Sequence, residues 1–228
     1  MMFILSANLV TIDIKNEVGD ISWSQLPVAN YELFKHQIFQ LKTSSPKVDI
    51  AIVFGHDNLL SEHQINWLTQ QNISIVNVDK YLSSGQQLYE ALHQLDSMPD
   101  SGCGFLFGST LPIGSNEFLS DWYTVFYSTL EPNLPIVNYG YHQDLVWAGF
   151  GNVSRAEIFS DILKEEHYDL KRAMDRYSFN YKTEQKVSES IFTASSLSSY
   201  FHMRSVLTSE RAFNTLTIQD NVIKKHSL

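Results

Sequence analysis

Short continuous apolar runs alternate with stretches of helical period along this chain, the pattern of a mostly parallel sheet covered by helices on both faces. The apolar runs predict strands over Met2 to Ala7, Val48 to Gly55, Ile73 to Val78 and Phe105 to Phe107. Between them, Phe34, Ile38 and Leu41 fall at i, i+4 and i+7, and Leu88, Leu92 and Leu95 do the same, so each segment carries one apolar helical face. Ser61 is placed to cap a third helix bearing Ile65 and Leu68, and Ser83 or Ser84 to start the helix of Leu88.

After Pro112 the rhythm changes. A helical segment is predicted near Phe118 to Leu130, then two strands, Ile136 to Tyr141 and Leu145 to Phe150, that extend the sheet in antiparallel or mixed fashion. Ser154-Arg155-Ala156-Glu157 has the capping-box spacing, and Leu170, Ala173, Met174 and Tyr177 form a further stripe, so the C-terminal third reads as mainly helical.

Composition narrows the function classes. The 228 residues are 43% hydrophobic, enough for a substantial core, and the formal charge of −9 is spread without any basic run. Nucleic acid and anionic lipid surfaces are therefore disfavoured as partners. The longest apolar stretches, such as Ile50 to Phe54, are strand-sized and far short of the roughly 20 residues a bilayer requires. Met1-Met2-Phe3-Ile4-Leu5 has no basic flank ahead of its apolar run and does not read as a signal peptide, which makes the cytoplasm the expected location. The single cysteine, Cys103, excludes a disulfide framework and reads as a buried thiol.

Three segments carry a resemblance. Ile4-Leu5-Ser6-Ala7 is followed by Leu26-Pro27-Val28-Ala29-Asn30-Tyr31-Glu32-Leu33-Phe34-Lys35-His36-Gln37; then come Leu82-Ser83-Ser84-Gly85-Gln86-Gln87 and Arg211-Ala212-Phe213-Asn214-Thr215-Leu216-Thr217-Ile218, the last ending in Val222-Ile223-Lys224-Lys225. Together they resemble the sugar-nucleotidyltransferase-like domain of bacterial capsule and polysaccharide synthesis proteins, which often precedes a phosphotransferase-like domain. The resemblance implies a Rossmann-like three-layer α/β/α nucleotide-diphospho-sugar transferase fold with a mostly parallel mixed sheet. It implies one domain over 1–228: a nucleotide-binding half at 1–110, a sugar-binding half at 111–187 and a helical C-terminal extension at 188–228. Leu228 falls about where the phosphotransferase-like half begins in longer relatives, leaving a stand-alone first domain and a piece of a longer protein as the two readings.

By the same resemblance Ser6, Ala7, Asn8, Ser84, Gly85 and Gln86 are the candidate nucleotide-binding residues, and Thr110 and Gly149 the candidate sugar contacts. The chemistry of such folds needs charge neutralisation around phosphates, from a glycine-rich loop, a cation and basic side chains. Here Ser6-Ala7-Asn8-Leu9-Val10-Thr11 lacks the glycines of that loop, and Trp23 stands where the resemblance implies a phosphate-binding lysine. Ser109 and Thr193 fall at the expected metal-carboxylate positions, and a hydroxyl alone is a poor magnesium ligand. No catalytic residue and no metal site is therefore assigned; magnesium enters only if the protein is active.

Other groupings have ordinary explanations. His56, Asp57, Glu62 and His63 read as a solvated helix-cap region with no metal-site spacing, and Ser109 lacks the surroundings of a nucleophilic serine. Trp122, Tyr123, Phe126 and Tyr127 read as core before cleft, and Gly149 is balanced between a sugar contact and a structural bulge. Two functions are expected from this: a degenerate domain that binds a nucleotide, a sugar phosphate or a protein partner, or an active transferase in which Asp144, Glu157 or Asp13 supplies the missing ligands.

Overall fold

A computed structural model describes residues 1–56, 60–95, 99, 102–112, 123–128, 145–181, 184–187 and 191–208, with the backbone alone at 123–128, 145–146, 184–187 and 191. In chain order the elements are β1 (Met2–Ser6), α1 (Ile12–Val18), a 3₁₀ turn (Trp23–Gln25), β2 (Pro27–Val28), β3 (Tyr31–Glu32), α2 (Leu33–Ser44), β4 (Ile50–Gly55), α3 (Glu62–Gln70), β5 (Ser74–Val78) and α4 (Ser84–His93). They continue as β6 (Cys103–Phe107), β7 (Thr110–Pro112), β8 (Tyr123–Ser128), β9 (Leu145–Val153), α5 (Ala156–Glu165), α6 (Leu170–Tyr181), β10 (Glu184–Val187), β11 (Ile191–Thr193) and α7 (Leu197–Thr208).

The central sheet has the order β10-β8-β9-β6-β1-β4-β5. β6, β1, β4 and β5 run parallel, β9 lies antiparallel to both β6 and β8, and β10 is parallel to β8, giving a mixed, mostly parallel sheet. Its central strands are buried on both faces, which is why they read as unbroken apolar runs. Phe3 and Leu5 of β1 pack under α4, α5 and α6 with Phe105, Phe159 and Tyr177. Met2 and Ile4 point the other way, toward Phe34, Ile38 and Leu41 of α2 and Leu68 of α3. A third cluster joins Ile14, Leu26, Val28 and Leu111 to Tyr200 and Met203 of α7.

The helix signals translate well where side chain and backbone cooperate. Ser61 and Ser83 each accept from the amide three residues on, while Gln64 and Gln86 reach back to the serine amides. Leu88 and Leu92 are buried on α4; Leu95 lies just past the helix end yet packs on the same core. Leu170, Ala173, Met174 and Tyr177 are all buried along α6, and the Cys103 thiol is buried with its pKa pushed up to about 12 by desolvation.

Two expectations fail. Tyr123–Ser128, inside the segment read as a helix near Phe118 to Leu130, is strand β8. Its Tyr, Thr, Val and Phe suit a pleated ladder, and pairing with both β9 and β10 outweighs the apparent helical period. The capping box at Ser154 also does not form. The N-cap of α5 is Arg155, while the Ser154 hydroxyl lies 3.0 Å from the Tyr177 hydroxyl, which also accepts from the Arg155 amide at 3.1 Å. A tertiary partner has replaced the local one. Ile136 to Tyr141, Trp122, Asp57, Asp144 and the Arg211 to Lys225 segment lie outside the described residues.

Candidate functional site

The strand order reverses between β1 and β6: from β1 the chain moves outward through β4 and β5, then returns to β6 on the other side. In open α/β sheets the crevice beyond the carboxyl ends of the strands at such a point is where ligands bind. Here that crevice is packed with protein. At the end of β1 the Ser6 hydroxyl donates to Ser24 Oγ at 2.6 Å, accepts from the Ser24 amide at 3.0 Å and lies 3.3 Å from Ser22 Oγ. Ser6, Ser22 and Ser24 are all buried, held by the 3₁₀ turn that Trp23 begins. Across the gap, at the end of β6, a Cβ on Gly108 would come within 2.7 Å of Ser6 Oγ.

The turn after β6 is fixed from below. Gln37, fully buried on α2, directs its Nε2 at the carbonyls of Phe107, Gly108 and Thr110 at 3.0, 3.2 and 2.7 Å. Gln37 Oε1 has no partner among the described residues. Beyond the turn, β7 pairs antiparallel with β11, so Ser109 and Thr193 are brought to one small ladder. The Ser109 carbonyl accepts from the Ala194 amide at 2.9 Å, but the hydroxyl facing Thr193, at 3.4 Å, is that of Thr110. Thr110 is itself buried and donates to the Ala148 carbonyl at 3.0 Å.

The Ser6-Ala7-Asn8 segment is joined to the start of α4 through Lys80, Leu82 and Gln87, not through Ser84, Gly85 or Gln86. The Ala7 amide donates to Gln87 Oε1 at 3.1 Å. Asn8, with its amide oriented so that both ends are matched, donates to the carbonyls of Lys80 and Leu82 at 2.7 and 3.2 Å and accepts from Gln87 Nε2 at 3.1 Å. Buried Gln87 thus closes the space between this segment and α4 into a hydrogen-bonded seam, and Gln86 is occupied with the cap of α4.

Open space lies at the start of α4. A cavity of ≈ 440 Å³ is walled by Ser83, Ser84 and Gly85 at the start of α4, by Phe107 and Trp147 on β6 and β9, and by residues 167–171 of the α5–α6 turn. Its volume falls in the range of small-molecule sites. Phe107 and Trp147 meet edge to face at 5.3 Å between ring centroids, and the buried indole N–H of Trp147 has no partner among the described residues. Gly149 does not open onto this space: its φ is +66° and a Cβ there would come within 2.1 Å of the Phe107 ring. The tight approach gives Gly149 a packing role in β9.

Of the carboxylates that might replace a metal ligand, Glu157 opens α5, which follows Val153; Val153 pairs with Cys103 at the opposite end of the strands from Ser6 and Ser109. Asp13 is exposed and bonded to the Thr11 hydroxyl and to the Leu197 amide at the start of α7, and these two bonds, Thr11 first, hold its pKa below the ordinary value. A depressed folded pKa means the tether acts above the ordinary carboxylate range and is lost as pH falls through the folded value. Acidification should therefore raise hydrogen exchange at the start of α7, and Asp13→Asn should flatten that pH response. Among the described residues no group of three or more His, Cys, Asp or Glu is arranged to hold a metal ion.

Sequence reasoning did not find the cavity's aromatic wall, its 167–171 wall, Gln37 or the serine cluster. One signal was available for the last. Ser22-x-x-Gln25 has the same spacing as Ser61-x-x-Gln64 and Ser83-x-x-Gln86, and the Ser22 amide does donate to Gln25 Oε1 at 3.0 Å.

No protein-family model matches the chain, and no curated protein sequence matches it. Solved structures do. The chain is similar to a nucleoside-diphosphate-sugar pyrophosphorylase from Vibrio cholerae RC9, with a TM-score of 0.66 and 10% identity over 90% of this chain and 100% of that one. An inositol-1-phosphate CTP transferase from T. maritima gives a TM-score of 0.60 at 10% identity, over 91% and 96% of the two chains. A 4-diphosphocytidyl-2C-methyl-D-erythritol synthase from Anaerococcus prevotii DSM 20548 gives 0.59 at 10%, over 90% and 94%. At these identities the likeness is one of fold: the chain has the α/β architecture of the sugar-nucleotidyltransferases.

Proposed function

We propose that this chain is a degenerate sugar-nucleotidyltransferase-fold protein of surface-polysaccharide synthesis, acting in the cytoplasm, that binds a nucleotide or sugar phosphate without carrying out metal-dependent transfer. The observation that carries this reading is the contrast at the strand ends: the crevice at the β1/β6 reversal is filled by Ser6, Ser22 and Ser24, while a ligand-sized cavity stands beside it at the start of α4. The first feature removes the room for a triphosphate beside the β6 turn. The second retains a wall of hydroxyls and aromatic faces suited to a sugar or base, with Lys171 and His167 at its edge. Thr193 and Ser109 supply hydroxyls where carboxylates would hold magnesium. No helix among the described residues is long and apolar enough to cross a membrane.

The test is thermal stabilisation by nucleoside triphosphates, nucleotide sugars and sugar phosphates, with and without magnesium. A ligand at about a hundred times its Kd adds about 2.7 kcal/mol, which for a chain of this size is a shift of about 5 to 10 °C. The expected result is a shift that chelator leaves unchanged. Stabilisation that requires magnesium would instead favour an active transferase, and no shift with any of them would leave a protein partner as the occupant to seek.

A further inference from the structure

We propose that the His167–Tyr168 turn is a movable flap that forms one wall of this open cavity, seated where Tyr168 sits on Gly85; the inference rests on the cavity being the ligand site. Half of the cavity's lining comes from the short run 167–171, between two helices that are otherwise firmly anchored. Leu163 at the end of α5 and Leu170 and Ala173 at the start of α6 are buried in the core, so the turn between them can move without unseating either helix. The Asp169 carboxylate accepts from the Arg172 amide at 3.0 Å, which caps α6 independently of the turn's position.

The turn itself is held against local preference. His167 and Tyr168 are consecutive non-glycine residues with φ of +53° and +62°. Side chains disfavour this left-handed region, and such residues persist where surroundings over-determine them, often at clamps and switches. Here the surroundings are identifiable. The Tyr168 amide donates to the Leu163 carbonyl at 2.7 Å, closing the end of α5 in a 6→1 bond usually built on glycine. The Tyr168 ring meets Tyr89 edge to face at 5.1 Å, and its carbonyl accepts from the Ser83 hydroxyl at 3.4 Å. Decisive is Gly85: a Cβ there would stand 2.1 Å from the Tyr168 carbonyl oxygen and 2.8 Å from its carbon, so only glycine lets the turn come down on α4. Lifting Tyr168 off Gly85 widens the cavity between α4 and the Trp147 wall and relieves the left-handed pair together, which makes the two positions of the turn discrete.

Gly85→Ala tests this directly, because alanine at that place suits α4 and collides first with the Tyr168 carbonyl, the Leu170 amide nitrogen at 3.3 Å being the next atom met. Hydrogen exchange at the amides of 167–169 is expected to rise about tenfold while α5 and α6 stay protected. Unchanged exchange in the turn, or α5 and α6 unravelling with it, would overturn the flap. Should Gly85→Ala fail to fold, the His167→Gly, Tyr168→Gly double variant decides, since removing the left-handed penalty should slow exchange at 167–169 by about threefold or more; equal or faster exchange would count against it. A nucleotide sugar at saturating concentration supplies the ligand arm, and a change in exchange confined to the turn is expected. If none of the sugars or nucleotides binds while Gly85→Ala behaves as described, the binding reading fails and the flap stands; binding with no change at the turn removes the flap and keeps the binding.

Discussion

Incubated with nucleoside triphosphates, sugar 1-phosphates and magnesium, the protein is expected to release no pyrophosphate above the uncatalysed background. Transfer to a sugar phosphate builds negative charge on the α-phosphate and on the leaving pyrophosphate, and preorganised positive groups must already stand around that charge. At the β1/β6 reversal there is instead a buried knot of three hydroxyls, two of them only 2.6 Å apart, with Gly108 closed against it. Trp23, where the sequence resemblance implies a phosphate-binding lysine, packs against the cluster that includes Tyr200 and Met203 of α7. Losing one such contact costs about 10² to 10³ in rate, and contacts acting on one transition state do not combine by multiplication. The Ser109→Asp, Thr193→Asp double variant separates the causes. Turnover confined to the double variant would assign the loss to missing carboxylates, silence in both would assign it to the filled crevice, and chelator-sensitive turnover by the unmodified protein would sink the degenerate reading.

Gly149→Ala is expected to destabilise the protein by about 2 to 4 kcal/mol, combining a side chain forced into a left-handed backbone with overpacking of a partly buried neighbour. The neighbour is identified: Cδ2 of Phe107 would lie 2.1 Å from the new methyl. Phe107 cannot retreat freely, because its ring also meets Trp147 at 5.3 Å. A double-mutant cycle with Phe107→Ala checks the mechanism by urea denaturation. The doubly substituted protein should be less destabilised than the sum of the single variants, leaving mainly the backbone cost of φ +66°. Strict additivity would show that Phe107 is not what Gly149 makes room for. Since Phe107 also lines the cavity, Gly149→Ala should weaken ligand stabilisation as well.

The parts of this fold that could be read from the chain are those fixed by local rules. β1 and β4 are apolar because both their faces are covered, and Ser61 and Ser83 announce their helices through spacing that works within one turn. What misled was tertiary. Tyr123–Ser128 is a strand because β9 and β10 flank it, and Ser154 leaves its cap for Tyr177, 23 residues away. The candidate site divides the same way. Ala7 and Asn8 bond to Lys80, Leu82 and Gln87 around the start of α4, and Gln87 is a residue whose direction no periodicity reveals. The cavity's remaining walls come from β6, β9 and the α5–α6 turn, a convergence that exists only once the sheet order is known.

In mutational terms the buried hydroxyl knot behaves as a ratchet. Building an open, charged phosphate loop here would need Ser6 or Ser24 replaced by glycine and Trp23 by lysine, and no single one of these steps is useful alone. Ser24→Gly removes the 2.6 Å partner of the buried Ser6 hydroxyl, and Trp23→Lys withdraws an aromatic ring from the cluster that includes Tyr200 and Met203 of α7. Each buried polar group left unpaired costs about 1 to 3 kcal/mol, against a total stability of about 5 to 15 kcal/mol for a typical domain. Two or three such steps would bring the chain close to unfolding before any of the new charges had a phosphate to hold. Sequences that diverge from this one are therefore expected to change around the knot, at the cavity and the exposed helix faces, far more readily than through it.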